Sequence, residues 1–211
     1  LSIVPANRRP VARRYLCSPL PSSGVASLEG GIAQHLRVMR IRPGETVRLF
    51  DGEGREASAI VRELGKRGVT VEVGSMESVR REPRVAVELA VAIPKGARAE
   101  WLFEHGTELG VVRFRPLVFA RSQGAARENR RERWLRVVQA ACEQCDRSLV
   151  PAVDAETGLL DLLRDPSLPA ERYLALPSTP LPLGQARGER VVLVVGPEGG
   201  FDEAESASLF A

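Results

Sequence analysis

Val191-Val-Leu-Val-Val195 runs directly into Gly196-Pro-Glu-Gly-Gly200 and then into Phe201-Asp-Glu-Ala-Glu205. Five aliphatic residues bounded by a Gly/Pro cluster read as a strand buried on both faces, which is what a central strand of a parallel sheet requires. Asp202 with Glu205 three positions on is a capping box, so a helix is expected directly after the glycines. Strand, glycine loop and helix in succession lay out a ligand site. The plain alternative is a tight strand-to-helix turn that holds nothing, since glycine serves wherever φ is positive.

The ligand class is narrowed by what the loop lacks. A phosphate-gripping P-loop needs a Lys and a Ser/Thr after its last glycine, and a dinucleotide fingerprint needs G-x-G-x-x-G spacing; neither is present. Glu198, Asp202, Glu203 and Glu205 crowd the helix start with negative charge, which complements the helix dipole but competes with a phosphate for it. A ligand without phosphate, carrying positive charge, suits this loop better. A nucleotide-hydrolysing enzyme is excluded for want of the lysine and of a metal-binding carboxylate pattern.

Working outward, the 211 residues suffice for one large or two small domains with a real core. Hydrophobic content of 44% and charged content of 27% are those of a globular protein. No apolar run approaches the roughly 18 residues of a membrane span, and the start lacks the apolar core of a signal peptide, so a cytoplasmic protein is expected. Cys17, Cys142 and Cys145 cannot build a disulfide framework, and two histidines add too few ligands for a zinc site. Cys142-Glu-Gln-Cys145 has redox-pair spacing but falls at the end of a helical pattern, where no thiolate is stabilised; buried thiols are expected.

The net charge is only +3, yet residues 1–50 carry eight arginines (Arg8, Arg9, Arg13, Arg14, Arg37, Arg40, Arg42, Arg48) against Glu29 and Glu45, a local excess of +6. A basic end on a near-neutral remainder suggests a polyanionic partner, most simply nucleic acid. The competing explanation is composition, because Lys66 and Lys95 are the only lysines and arginine is favoured throughout.

Residues 1–77 read as a small β-rich domain. Thr46-Val-Arg-Leu-Phe50, Glu56-Ala-Ser-Ala-Ile-Val61 and Val69-Thr-Val-Glu-Val73 are strands separated by the turn signals Asp51-Gly-Glu-Gly54 and Gly65-Lys-Arg-Gly68. A helix over 31–40 precedes them, with Ile32, Leu36 and Met39 on one face. This spacing suggests a small barrel, a shape often used on RNA. The polar stretch 78–84 marks the boundary. Residues 84–211 then alternate: a strand over 85–93 ending at Pro94-Lys-Gly96, a helix over 99–109, a strand over 111–120, a buried helix carrying Trp134, Val138, Ala141 and Cys142, and strands over 172–176 and 191–195. Such alternation indicates an α/β domain with a mostly parallel sheet and a ligand crevice at the carboxyl ends of its strands. That puts Pro94-Lys-Gly96, Leu176-Pro177 and the glycine loop on one rim.

Taken together these segments resemble the bacterial 16S ribosomal RNA uridine-N3 methyltransferases of the SPOUT class. The stretches that carry the resemblance are Arg14-Tyr15, His35-Leu-Arg-Val-Met-Arg40, Leu49-Phe-Asp-Gly52, Pro94-Lys-Gly96, Thr107-Glu-Leu-Gly-Val111, Ala141-Cys-Glu-Gln-Cys-Asp-Arg147 with Val150-Pro151, and Gly196-Pro-Glu-Gly-Gly200. Each is short; their order and spacing are specific together. The resemblance implies a PUA-like β-barrel for RNA followed by an α/β domain whose chain end is tied in a trefoil knot that holds S-adenosylmethionine. It also implies a homodimer acting on 16S rRNA in the small ribosomal subunit. Leu176, Pro177, Gly196, Pro197, Glu198, Gly199 and Gly200 would then line the cofactor pocket, while Arg14, Arg40, Lys95 and Arg147 would contact RNA phosphates or bases, each alternatively being a solvated charge.

The implied reaction is methyl transfer from sulfonium to N3 of one uridine. An uncharged pyrimidine N3 is a poor nucleophile, so its proton must leave and the atoms must be held in line. No residue is assigned as the base: Glu198 either acts chemically or holds the loop's amides. Two departures from the family pattern stand out. Glu104-His105-Gly106 replaces a Lys followed by a small residue, which argues against a functional role for His105. No counterpart of the family's further strand and Leu-Gly-x-Arg…Arg-x-Glu-Thr-Ala segment occurs before Ala211, so an incomplete knot and a pocket with one wall are expected. The rival reading is a non-catalytic RNA-binding protein on the same scaffold.

Overall fold

A computed structural model describes residues 12–121, 130–176 and 187–209. Pro177, Arg8 and Arg9 lie outside the described residues. The chain divides into two compact units, the first comprising residues up to Arg81 together with Asp146–Leu149, the second the remainder.

Unit 1 contains β1 (Arg14–Leu16), β2 (Gly24–Glu29), α1 (Gly30–Val38), β3 (Thr46–Phe50), β4 (Arg55–Leu64) and β5 (Gly68–Ser78). They form one sheet of order β1-β3-β4-β5-β2, antiparallel except for the β1–β3 pair. Alternation decides the inward face: Val47 and Leu49 of β3, Ala57, Ala59 and Val61 of β4, and Val69, Val71 and Val73 of β5 are all buried. The expected β-barrel is corrected here. Among the described residues β1 and β2 are the two free edges of an open sheet. Its apolar face is filled instead by α1, whose Ala33 and Leu36 are buried in the same cluster. A three-residue β1 is also too short to close a cylinder.

Unit 1 also buries a polar network. Glu56 is 1% exposed and accepts from Arg14 Nη1 at 2.6 Å, Arg81 Nη2 at 3.0 Å and Ser148 Oγ at 2.9 Å, with Arg48 on its second oxygen. Arg14 also donates to the Arg147 carbonyl and to Ser148 Oγ, both at 3.0 Å, and lies over the Phe50 ring. This network is why Asp146–Leu149, distant in sequence, belongs to unit 1.

Unit 2 holds β6 (Ala86–Ala92), α2 (Ala97–Glu108), β7 (Val111–Val118), α3 (Arg130–Gln144), β8 (Ala152–Val153), β9 (Thr157–Gly158), α4 (Leu159–Leu163), β10 (Glu171–Ala175), β11 (Arg190–Val195) and α5 (Glu203–Leu209). The sheet order is β10-β11-β6-β7-β8, with β9 also on β7, and every pairing is parallel. β11 is therefore an interior strand, as its unbroken aliphatic run requires. Two apolar clusters occupy the two faces. Phe103, Phe114, Trp134 and Val138 pack under α2 and α3, with Phe103 stacked 4.8 Å from Trp134. Ala90, Leu117, Leu162, Val192 and Val194 pack under α4 and α5. Neighbouring residues of β6, Leu89 and Ala90, serve opposite clusters, which is the two-residue period of a strand. Cys142 is buried on α3, Cys145 follows the helix partly exposed, and both are free thiols.

Candidate active site

The cleft of unit 2 lies at the carboxyl ends of its strands and measures about 570 Å³, within the roughly 300–1,000 Å³ usual for a small-molecule site. Its floor is apolar, made by Val91, Ala92 and Ile93 at the end of β6 and by Leu117 and Val118 at the end of β7. One wall is Val195 with Gly196, Pro197, Glu198 and Gly199. This placement follows from the all-parallel sheet, which turns every strand end and the loop after it toward one crevice.

The loop's shape follows from its sequence. Gly200 N donates to the Pro197 carbonyl at 2.9 Å, closing a turn in which Gly200 has φ of 70°, a conformation open to glycine at no steric cost. Gly196 is glycine for another reason: a Cβ there would sit 2.5 Å from the Phe201 ring. The helix after the loop is fixed by the anticipated capping box. Glu205 N donates to Asp202 Oδ1 at 2.7 Å, and Asp202 N donates back to Glu205 Oε2 at 2.9 Å. Glu205, 9% exposed, takes a third bond on Oε1 from Ala120 N at 2.7 Å. One carboxylate thus joins the start of α5 to the chain just past β7, both flanking the cleft.

The cleft also carries paired charges. Arg98 Nη1 meets Glu198 Oε1 at 3.1 Å with both side chains largely exposed, and Arg130 Nη1 meets Glu156 Oε1 at 3.2 Å. Arg121 Nη1 donates to the Gly199 carbonyl at 3.1 Å, and Lys95 completes the lining. An apolar floor under a rim whose two carboxylates are both paired with arginines fits a small ligand with a flat apolar part.

Of the residues anticipated from sequence, Gly196, Pro197, Glu198, Gly199 and Lys95 come together on the cleft. Gly200 shapes the loop from outside the lining. Leu176 follows the Ala175–Val195 pair, at the same end of the sheet, but does not line the cleft. Arg14 and Arg147 are each 5% exposed, inside unit 1, which is the geometry of structural anchors and not of phosphate contacts. Arg40 is exposed, with φ of 54°. His105 stacks on Trp101 of α2 at 4.4 Å and is absent from the cleft. Sequence reasoning missed Arg98, Arg121, Arg130 and Glu156. Nothing in the local sequence distinguishes them from solvated charges; only the convergence of three strand ends does. Among the described residues no group of three or more His, Cys, Asp and Glu could hold a metal, and no helix is long and apolar enough to cross a membrane.

This arrangement has close counterparts. An RNA methyltransferase domain family matches residues 80–211, and an RNA methyltransferase PUA domain family matches residues 28–74. The chain is 33% identical over 94% of its length to the ribosomal RNA small subunit methyltransferase E of Mycobacterium tuberculosis, covering 80% of that protein. The chain belongs to the ribosomal RNA small subunit methyltransferase E family. The Bacillus subtilis member is 31% identical over 85% of this chain and 76% of its own. Among solved structures, the Neisseria gonorrhoeae member bound to S-adenosyl methionine superposes with a TM-score of 0.83 at 29% identity, covering 94% of this chain and 85% of that one. A putative methyltransferase from Legionella pneumophila in complex with the cofactor SAM gives a TM-score of 0.84 at 28% identity, covering 93% and 84%.

Proposed function

We propose that this member of the family methylates N3 of a specific uridine in the 16S rRNA of the small ribosomal subunit, with S-adenosylmethionine as methyl donor. The observation that carries this reading is the cleft at the ends of β6, β7 and β11, walled by Gly196, Pro197, Glu198 and Gly199. The apolar floor suits an adenine ring and the methylene chain of the donor, and the loop lacks the Lys and Ser/Thr with which a P-loop holds phosphate. S-adenosylmethionine bound there supplies an electrophilic methyl carbon on a sulfonium centre. The loop backbone orients the donor, and Phe201, packed against Gly196 where a side chain would stand, keeps the wall from moving.

N3 of uridine must lose its proton as the new N–C bond forms, and Glu156 and Glu198, the two carboxylates that line the cleft, are the candidates to accept it once released from Arg130 and Arg98. Lys95, Arg98 and Arg121 at the mouth favour RNA approaching with its phosphates outermost. The target base must be unpaired or flipped out, because pairing hides N3. The same reading includes a cytoplasmic homodimer and the trefoil knot that the family resemblance implies for unit 2. The exposed Trp101 (61%) and Leu109 (82%) offer a second copy an apolar surface, and β11 returns between β10 and β6. Incubation with small subunits lacking the modification, followed by nucleoside digestion, should yield 3-methyluridine. A ribose-methylated product, or none, would overturn the assignment.

A further inference from the structure

We infer that Arg121 is a catalytic residue of the proposed transfer, stabilising the negative charge that uracil gains as N3 loses its proton; the inference rests on the proposed uridine-N3 chemistry. The cleft is lined by four cations, Lys95, Arg98, Arg121 and Arg130, and by two carboxylates, Glu156 and Glu198, a net charge of +2. The carboxylates take up two of the arginines: Glu198 pairs with Arg98 at 3.1 Å and Glu156 with Arg130 at 3.2 Å. Arg130 is held further by the Trp134 ring, 5.2 Å from its centroid. Arg121 pairs with no carboxylate among the described residues; its Nη1 donates to the Gly199 carbonyl at 3.1 Å. A carbonyl holds a guanidinium in place without neutralising it.

The position of this charge is set by the cleft itself. Arg121 stands three residues past Val118, the last residue of β7 and part of the apolar floor. Its stem lies along the glycine loop, the Cβ 3.5 Å from where a Cβ on Gly199 would stand. A fixed cation beside apolar surface acts more strongly on developing charge than one in open water. Uridine supplies such charge. In the transfer N3 gives its proton to a cleft carboxylate or to water, its electron pair bonds to the methyl carbon of the donor, and the methyl–sulfur pair stays on sulfur as a neutral thioether. Before that bond is complete the ionised base shares its charge with O2 and O4. A cation at either oxygen favours the ionised base over the neutral one and leaves N3 open to the methyl carbon. Arginine suits the task because it stays protonated at every working pH. A guanidinium that merely met a phosphate would leave the ionisation of N3 unchanged.

The test is the pH dependence of single-turnover transfer, at saturating donor and small subunit, for wild type, Arg121→Gln and Arg121→Lys. The rate should climb with pH until the bound base is ionised. In Arg121→Gln that limb should move up by about 1–2 pH units, which is about a ten- to hundredfold loss of rate below it. Arg121→Lys keeps the charge and should stay near the wild-type limb, and melting should be alike in all three. A second measurement needs no turnover. Subunits reconstituted on rRNA transcribed with 5-fluorouridine carry a more acidic N3, and in filter binding without donor at mildly alkaline pH they should bind wild type several-fold tighter than ordinary subunits do. Arg121→Gln should erase that preference. Either an unmoved limb or an unchanged preference would overturn the inference. So would a defect confined to donor affinity in calorimetry, which would make Arg121 a support of the glycine loop or of the donor's own carboxylate. Failure of the wild type to form 3-methyluridine would contradict the proposed function, whereas 3-methyluridine from the wild type with an unmoved limb in the variant contradicts this inference alone.

Discussion

Arg14 and Arg40 look alike in the sequence, each an arginine in a basic stretch near an aromatic or aliphatic residue, and the fold gives them opposite environments. Arg14 sits 5% exposed against Glu56, whereas Arg40 projects from the end of α1. Burial alone would raise the Glu56 carboxyl, but hydrogen bonds from Arg81, Arg14 and Ser148 outweigh it and bring the carboxyl down from 4.5 to about 2. A group depressed on folding contributes stability above its unfolded value and loses it as the pH falls toward its folded one. Wild-type protein should therefore keep this contribution above pH 4.5 and lose it progressively down to about pH 2. Arg14→Met, which takes one cation from the buried Glu56 and leaves Arg48, Arg81 and Ser148 on it, should cost about 1–3 kcal/mol at neutral pH and flatten that acid limb. Denaturant melts at a series of pH values check both. A variant of unchanged stability whose only defect is RNA affinity would return Arg14 to the RNA surface.

At the scale of elements, the capping box was legible because its chemistry is local: a carboxylate three residues from an Asp at a helix start has few other uses. The third bond of Glu205, to Ala120 N, was not legible, since it joins residues 85 apart. That bond gives α5 a second task, to hold the glycine loop against the end of β7. Glu205→Ala removes acceptors from two backbone amides and should destabilise unit 2 by roughly 1–3 kcal/mol. Affinity for S-adenosylmethionine should fall at a temperature where the variant remains folded, as calorimetry would read; unchanged affinity would confine Glu205 to capping. Three of the five strands of unit 1 and the longer strands of unit 2 were visible by period, Thr46–Phe50 at its full extent, whereas β1 and β2 were missed. The short β8, β9 and α4 were missed as well, because two-residue pairings and a five-residue helix carry no periodic signal. The barrel expectation failed for a related reason. Strand spacing shows that strands exist, not whether the first and last meet, and α1 fills the space that closure would have enclosed.

For the whole molecule, the α/β class and the crevice at the strand ends follow from alternation of helices and strands, and the glycine loop falls where that rule puts it. The cationic rim did not follow, because Arg98, Arg121 and Arg130 converge only once three strands lie side by side. The central claim is that this cleft carries out methyl transfer to rRNA. It is tested most directly by comparing wild type with Gly196→Val, whose added side chain must enter the Phe201 ring, on small subunits lacking the modification. The wild type should transfer one methyl group to N3 of a single uridine, and the variant, verified as folded by its circular dichroism, should transfer at least a hundredfold more slowly, a difference of about 2.7 kcal/mol in barrier. Equal rates for the two proteins, or no transfer by the wild type, would contradict the account.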